Sequence, residues 1–403
     1  MHWPDVFATR AHRMKASEIR ELLKLLDQPD ILSFAGGIPD PALFPADAFR
    51  DALADALSPA HQARALQYSV SEGDPDLRDW LAGHMTDLGI PCGRDNILIT
   101  SGSQQGLDYL GKLLLSPGDT ALVTWPTYMG ALGAFNAYEP RYDRLEPQAN
   151  RLPADIAEAA ETAGGAVKFA YASVDFANPT GKTLTLAERD SILALAEALD
   201  CAVIEDAAYQ ALRYDGAAIP PMLALEIAKK GDIEACRTLY CGSFSKTFAP
   251  GLRVGWVCGA ARVISQMVLI KQASDLHSPT LNQMALAHVA PALFDSHTAR
   301  LRATYKARRD AMLTALEAHM PEGLSWTKPE GGMFIWVTLP PDMDAGPLLA
   351  QAIASQKVAF VPGGAFHADG SGTNTLRLSF SLAQENEIGD GMKRLAAAIS
   401  HGL

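Results

Sequence analysis

One lysine, Lys246, lies among small, hydroxyl-bearing and aromatic residues, in the segment Gly242-Ser-Phe-Ser-Lys-Thr-Phe-Ala-Pro-Gly-Leu-Arg-Val-Gly-Trp256. In that segment Ser243, Ser245 and Arg253 can satisfy the oxygens of a phosphate group. The reactivity of a lysine amine depends on its surroundings, so Lys246 is a candidate for forming a Schiff base with an aldehyde. The alternative, a solvated surface lysine, is common in general but fits this apolar neighbourhood poorly.

A carboxylate, Asp206, follows the apolar run Ala202–Glu205, and Tyr209 comes three residues later. A carboxylate at the end of a buried strand is costly unless it is paired. The pattern therefore predicts a cation or a protonated nitrogen beside Asp206. The alternative is an aspartate that caps the N-terminus of a following helix.

Two further turns carry polar groups after predicted strands. Ser101-Gly-Ser-Gln-Gln105 precedes a helix, whose free N–H groups and positive dipole end can bind an anion. The alternative is that Ser101 and Gln104 form a capping box. Asn178-Pro-Thr-Gly181 exposes an amide, although such turns are ordinary loop chemistry.

Taken together, these groups indicate a particular ligand more specifically than any one of them does alone. They offer phosphate donors on two loops, an acid for a ring nitrogen, an amide and a phenol for a ring oxygen, and an amine for an aldehyde. Pyridoxal 5'-phosphate (PLP) has all four features. A nicotinamide or ATP site would not need this lysine together with this aspartate.

The elements that must position these groups alternate between short apolar strands and helices. The predicted strands are Ile97–Thr100, Ala121–Trp125, Lys168–Ser173, Ala202–Glu205, Thr238–Cys241 and Gly255–Cys258. Helices are predicted at Gln104–Leu115 and at Leu186–Leu199, the second opening with the capping box Thr185-Leu-Ala-Glu188. This alternation predicts an α/β fold with a mainly parallel sheet, whose ligands bind beyond the carboxyl ends of the strands.

The pattern changes near residue 280, where long helical material is followed by fewer strands. We predict a helix over His288–Ala318, a closing helix over Glu385–Ile399, and strands at Gly332–Thr338, Val358–Phe360 and Thr375–Phe380. This predicts a smaller α+β domain. An amphipathic helix is also predicted near the start, at Ser17–Leu26.

Composition limits the classes of protein. A chain of 403 residues favours two domains, which we place at 46–295 and 296–403, with an N-terminal helix and arm at 1–45 packing on the smaller one. The net charge of -12 disfavours a nucleic-acid partner. The sequence shows no secretory signal, no membrane span, and no cysteine spacing typical of a metal site, so we expect a cytoplasmic enzyme without a bound metal.

At these motifs the chain resembles the class I aminotransferases of PLP fold type I, and most of all the α-aminoadipate and kynurenine aminotransferase subgroup. The resemblance runs from Ile31–Asp40 through Ser243–Trp256 to Leu376–Ser379. It implies a large PLP-binding domain with a smaller α+β domain.

The resemblance also implies a role for each site residue. Lys246 would hold PLP and then move the substrate's α-proton, while Asp206 would pair with the ring nitrogen. Asn178 and Tyr209 would bond the ring oxygen, and Tyr128 would stack on the ring. The phosphate would be bound by Ser103, Gln104, Ser243, Ser245 and Arg253, and by Tyr68 of the neighbouring subunit, which implies a homodimer.

For the substrate, the resemblance implies that Arg377 binds the α-carboxylate, beside Asn178 and Gly37. Periodicity supports this role, because Leu376, Leu378 and Phe380 share one strand face and leave Arg377 on the other. The alternative is a solvated arginine on a half-exposed strand. Arg20 is expected either to pair with a distal carboxylate of the substrate or to be a solvated helix residue.

The function that this implies is reversible transfer of an amino group from an α-amino acid to a 2-oxo acid such as 2-oxoglutarate. The donors expected are 2-aminoadipate and aromatic or large aliphatic amino acids. A β-lyase is the alternative on the same fold, whereas Arg377 disfavours decarboxylation. A PLP-domain transcriptional regulator is disfavoured by the net charge and by the 30 residues before Ile31, too few for a winged helix.

Overall fold

The computed structural model describes residues 1–14 and 30–400. Thirteen strands are defined in this part of the chain. In order they are β1 (Leu32–Ser33), β2 (Ile97–Thr100), β3 (Thr120–Val123), β4 (Arg141–Arg144), β5 (Val167–Ser173), β6 (Ala202–Asp206), β7 (Thr238–Ser243), β8 (Gly255–Cys258), β9 (Ser325–Trp326), β10 (Phe334–Thr338), β11 (Val358–Ala359), β12 (Val361–Pro362) and β13 (Thr375–Ser379).

Twelve α-helices accompany these strands in the described residues. They are Ala46–Ala56, Gln62–Leu66, Pro75–Asp87, Ser103–Leu114, Met129–Asn136, Pro153–Thr162, Leu186–Ala198, Met222–Lys230, Ala261–Gln272, Thr280–His319, Ala345–Gln351 and Glu385–Ser400. Short 3-10 turns and one π-helical turn, Ala352–Gln356, complete the structure.

The central sheet has seven strands in the order β2-β8-β7-β6-β5-β3-β4. Only β8 runs against its neighbours β7 and β2, and the other pairs are parallel. Every residue of β2, β3, β7 and β8 is buried, because helices cover both faces of the sheet. The predicted α/β fold with a mainly parallel sheet is therefore confirmed.

One strand of this sheet was not predicted. The edge strand β4 consists of Arg-Tyr-Asp-Arg, and none of its four residues is buried. It carries no apolar run, because an edge strand open to solvent does not need one. The capping box at Thr185 and Glu188 was predicted and is present.

A second sheet, β12-β13-β10-β9, packs against the helices Thr280–His319 and Glu385–Ser400. Of the strand predicted over Val358–Phe360, Val358 and Ala359 form β11, whereas β12 begins only at Val361 and belongs to a different sheet. In the N-terminal arm, β1 pairs in parallel with β11. The helix Thr280–His319 continues without a break through position 295.

The predicted helix Ser17–Leu26, with Arg20, lies outside the described residues. None of the helices within residues 1–14 and 30–400 is long and apolar enough to cross a membrane.

Candidate active site at the carboxyl ends of the strands

The fold brings the chemically active residues to one edge of the central sheet. Asp206 is the last residue of β6, Ser243 is the last of β7, and Ser101 follows β2 directly. Because β5, β6 and β7 are parallel, the segments after them meet at this edge.

Lys246 lies in the turn after β7 and is partly buried. Its Nζ donates to the Gly37 carbonyl oxygen at 2.8 Å and lies 5.8 Å from the centre of the Tyr209 ring. Burial lowers the pKa of Lys246 to about 8, and the charges of Arg377 and Arg253 act in the same direction. The lysine is thus not a solvated surface residue, and its amine is easier to deprotonate than usual.

Asp206 is only 5% exposed, and its partners within the described residues are neutral. The Tyr171 hydroxyl donates to Oδ2 at 2.7 Å, and the Ala208 backbone N–H lies 3.4 Å from Oδ1. Burial raises the pKa of Asp206, since the charged form loses hydration. The expected cationic partner is therefore not supplied by the described residues, and a protonated ligand nitrogen would meet the need. Tyr171 was missed because nothing in β5 marks its partner on β6.

Arg377 lies on β13 and is only 1% exposed, which excludes the solvated alternative. Nη1 donates to Asn178 Oδ1 and Nη2 to the Ala35 carbonyl, both at 2.7 Å, while Nε has no partner. The guanidinium stacks at 4.3 Å from the Phe334 ring and 5.1 Å from the Phe366 ring. Burial lowers the pKa of Arg377 to about 10.

Asn178, Tyr209 and Gly37 join the lysine to this arginine. The Tyr209 hydroxyl interacts with the Asn178 side chain, and burial keeps the pKa of Tyr209 far above its ordinary value. Gly37 lies so close to the Phe334 ring that a Cβ on Gly37 would be 2.8 Å from Phe334 Cζ. A side chain at Gly37 would therefore intrude between the small sheet and the cleft.

The loop after β2 forms a cradle at the start of the helix Ser103–Leu114. Its N-cap, Gly102, has φ of +83°, and a Cβ there would lie 2.2 Å from Arg253 Nη2. Arg253 Nη2 in turn donates to the Ser101 carbonyl at 3.1 Å. No side chain caps the helix, so its first N–H groups stay available to an anion.

The capping box suggested for this loop is absent. The Ser101 hydroxyl contacts Asp275 and Ser278 instead, and the Gln104 amide donates to the Gly130 carbonyl at 2.6 Å. Both side chains thus find partners elsewhere in the fold, and neither turns back to the helix N-terminus.

Three further predicted residues, Ser243, Tyr128 and Tyr68, lie outside the loop that forms the cradle. Ser243 accepts a hydrogen bond from the Ser245 backbone at 3.1 Å, in the turn that leads to Lys246. Tyr128 is the N-cap of the helix Met129–Asn136, and its hydroxyl lies 3.5 Å from Gln104 Oε1. Tyr68 lies on the surface, 79% exposed, with its ring edge-on to His277.

This donor set fits PLP. An amine of lowered pKa lies over the ring of Tyr209, whose hydroxyl contacts the Asn178 amide, and the buried carboxylate of Asp206 has only neutral partners among the described residues. The cradle offers uncapped helix N–H groups next to Arg253, and the positive φ of Gly102 is one that other residues rarely adopt. These are the groups that an aldehyde, a ring nitrogen, a ring oxygen and a phosphate need.

Known proteins share both the sequence and the fold. The chain is 41% identical to aromatic-amino-acid aminotransferase 1 of Thermococcus litoralis, over 100% of this chain and 96% of that protein. The crystal structure of Pyrococcus horikoshii kynurenine aminotransferase, in complex with PMP, has a TM-score of 0.89 at 42% identity, covering 98% and 97% of the two chains. The α-aminoadipate aminotransferase of Thermus thermophilus, complexed with N-(5'-phosphopyridoxyl)-L-leucine, has a TM-score of 0.88 at 36% identity, covering 100% and 99%.

Residues 30–395 match the family described as aminotransferase class I and II. Since this match spans most of the chain, and the site fits the cofactor of the family, the chain belongs to the class I and II aminotransferases and is a PLP-dependent aminotransferase of fold type I.

Proposed function

We propose that the protein transfers the amino group of 2-aminoadipate and of aromatic or large aliphatic amino acids to a 2-oxo acid such as 2-oxoglutarate. The observation that carries the proposal is Arg377, a buried cation whose partners in the described residues are all neutral. Such a charge is costly unless an anion joins it. A substrate α-carboxylate is an anion of the right shape, because it accepts two parallel hydrogen bonds from a guanidinium.

When bound, PLP supplies an aldehyde for amines and a ring that withdraws electrons from the substrate's α-carbon. We assign Lys246 Nζ to the aldehyde and, once displaced, to the proton on the α-carbon. Asp206 would hold a proton on the ring nitrogen, with Tyr171 fixing its Oδ2. Tyr209 and Asn178 would donate to the ring oxygen, and Tyr128 would cover the ring.

For the phosphate we assign Ser103 and Gln104 of the cradle together with Ser243, Ser245 and Arg253. The support is the uncapped helix start and the approach of Gly102 to Arg253. We place Gly37 beside the bound substrate, because its carbonyl oxygen accepts a hydrogen bond from Lys246.

The aromatic side chains near Arg377 support the proposal that amino acids with apolar side chains are substrates. The rings of Phe334 and Phe366 flank its guanidinium, and Trp336 packs edge-on to Phe366. Relatives named for aromatic amino acids, kynurenine and α-aminoadipate agree with such breadth. For acidic donors we retain Arg20 as the proposed partner of the distal carboxylate.

We further propose a cytoplasmic homodimer in which Tyr68 reaches the partner's phosphate, supported by its exposed side chain. The proposed units stay at 1–45, 46–295 and 296–403. The pairing of β1 with β11 supports an arm that packs on the smaller unit.

The test is a panel of amino donors with 2-oxoglutarate and pyruvate as acceptors, run on the natural protein and on Arg377→Ala. Loss of one charge-assisted pair is worth about 1.5–3 kcal/mol, so we expect KM for every donor to rise roughly tenfold or more. Arg394→Ala, which removes a half-buried arginine paired with Asp390 on the helix Glu385–Ser400, is the control and should leave KM unchanged.

An unchanged KM in Arg377→Ala would remove this arginine from the substrate site. Absence of transamination with every donor, together with release of pyruvate from cysteine conjugates, would favour the β-lyase instead.

A further inference from the structure

A polar cluster centred on a buried lysine contacts the loop that forms the cradle. Its centre is Lys271, whose side chain is fully buried. Lys271 Nζ donates to Asp275 Oδ1 at 2.9 Å, to Gln105 Oε1 at 2.9 Å and to Ser278 Oγ at 3.0 Å. Asp275 also accepts from the Tyr109 hydroxyl at 3.2 Å and from Gln105 Nε2 at 2.8 Å.

The cluster holds the first residue of the cradle at two points. The Ser101 backbone N–H donates to Gln105 Oε1 at 2.8 Å, the same oxygen that Lys271 binds. The Ser101 hydroxyl lies 3.2 Å from Asp275 Oδ2 and 3.0 Å from Ser278 Oγ. The carbonyl of Ser101 accepts from Arg253, so the loop is fixed from both sides.

Lys271 and Asp275 form an ion pair, and each favours the charged form of the other, which opposes the effect of burial. Burial lowers the pKa of Lys271, although Asp275 opposes this effect. Burial also raises the pKa of Asp275, but hydrogen bonds from Gln105 and Lys271 leave it below its ordinary value. Because only Lys271 is fully buried and the Asp275 side chain is 31% exposed, we assign this pair a role in geometry and not a large gain in stability.

We propose that Lys271 and Asp275 are positioning residues for the cofactor's phosphate, acting through Ser101 and Gln105 on the loop that presents the N–H groups of the helix Ser103–Leu114. This inference rests on the proposed phosphate site. The pair does not touch the phosphate, and it sets where the N–H donors and Arg253 lie before the phosphate arrives. Donors fixed in advance bind an anion more tightly, because no ordering is required at the moment of binding.

The test compares the affinity of the apoenzyme for PLP and for pyridoxal, which lacks the phosphate. In Lys271→Met we expect the dissociation constant of PLP to rise about tenfold or more, and that of pyridoxal to change by less than about twofold. Lys229→Met, which removes a lysine from an exposed pair with Asp190, is the matched control and should change neither constant.

Asp275→Asn separates positioning from simple electrostatics and also serves if Lys271→Met fails to fold. If the pair only contributes charge, removal of the negative charge strengthens phosphate binding. If it positions the loop, Asp275→Asn weakens PLP binding selectively, as Lys271→Met does, and this is the result that we expect.

Tighter PLP binding in Asp275→Asn, or an equal loss of PLP and pyridoxal in both variants, would overturn the inference. A natural protein that binds pyridoxal as tightly as PLP would instead refute the proposed phosphate site itself.

Discussion

At the scale of single residues, the site is a set of charged groups whose partners in the described chain are incomplete. Arg377 has neutral acceptors only, Asp206 has neutral donors only, and Lys246 binds a carbonyl. Each would be costly in a protein that bound no ligand, since burial penalises unpaired charge. Perturbed groups of this kind cluster at functional sites.

The lowered pKa of Lys246 makes a prediction about pH. Only the neutral amine attacks an aldehyde, and its fraction rises as pH rises through the pKa of about 8. The rate of PLP uptake by the apoenzyme should therefore be half-maximal near pH 8 and level off above about pH 9. Stopped-flow absorbance over a pH series measures this. A rate that keeps rising to pH 10 would show an ordinary lysine.

The residue types of the site could be predicted from the sequence, but several of their contacts could not. Lys246 and Asp206 stand out because their types are unusual at the ends of buried strands, and Arg377 because it interrupts an apolar strand. Tyr171 and Lys271 do not, because the sequence suggests an ordinary core tyrosine in a strand and an ordinary surface lysine on a helix. Their partners, Asp206 on the neighbouring strand and Gln105 on another helix, are set only by tertiary packing.

At the scale of elements, the cradle depends on a turn that only glycine can make. Gly102 combines φ of +83° with a close approach to Arg253, so it allows the chain to pass from β2 into a helix without a side chain in the cradle. The same close packing is found at Gly255 in β8, where a Cβ would lie 2.5 Å from the Ser103 nitrogen.

Gly102→Ala should therefore weaken PLP binding about tenfold or more, because the strained backbone costs of order 1–3 kcal/mol and the new methyl displaces Arg253. Titration of the apoenzyme with PLP measures the change. Gly389→Ala is the control, since Gly389 lies inside the helix Glu385–Ser400 with open space around it. The Gly389→Ala variant should leave PLP affinity unchanged and raise the free energy of unfolding by about 0.5–1 kcal/mol. Equal affinity in the two variants would contradict this account of the cradle.

Elements with an apolar pattern could be predicted closely, and those without one could not. β2 and β8 have the predicted bounds, and three of the predicted helices differ by one residue at one or both ends, whereas the longest helix begins at Thr280 and not at His288. The polar edge strand β4 and the division between β11 and β12 escaped prediction, because each depends on which neighbour a strand meets.

At the scale of the whole molecule, the site lies where the two sheets approach each other. Arg377 comes from β13 of the small sheet, and it contacts Asn178, which follows β5 of the large one. The core residues Tyr209 and Phe334 join the same two parts, with ring centres 5.5 Å apart. A relative shift of the two parts would separate Arg377 from Lys246.

The proposed dimer makes a prediction about mixed subunits. Tyr68→Ala and Lys246→Ala should each be weakly active or inactive alone, whereas mixing them with exchange of subunits should restore activity. In a hybrid dimer, one site receives Lys246 from one subunit and Tyr68 from its partner. Activity of the mixture measures this, with each variant alone as the control. No recovery, although sedimentation shows hybrid dimers, would place Tyr68 outside the partner's site.

The most direct measurement of the central claim is the site at which the cofactor attaches. Borohydride reduction of the purified yellow protein should fix the colour, and a tryptic mass map should find the pyridoxyl group on Lys246. The lysines of the described chain that lie outside the cleft, including the buried Lys271, should remain unmodified. A pyridoxyl group on any lysine other than Lys246 would contradict the account.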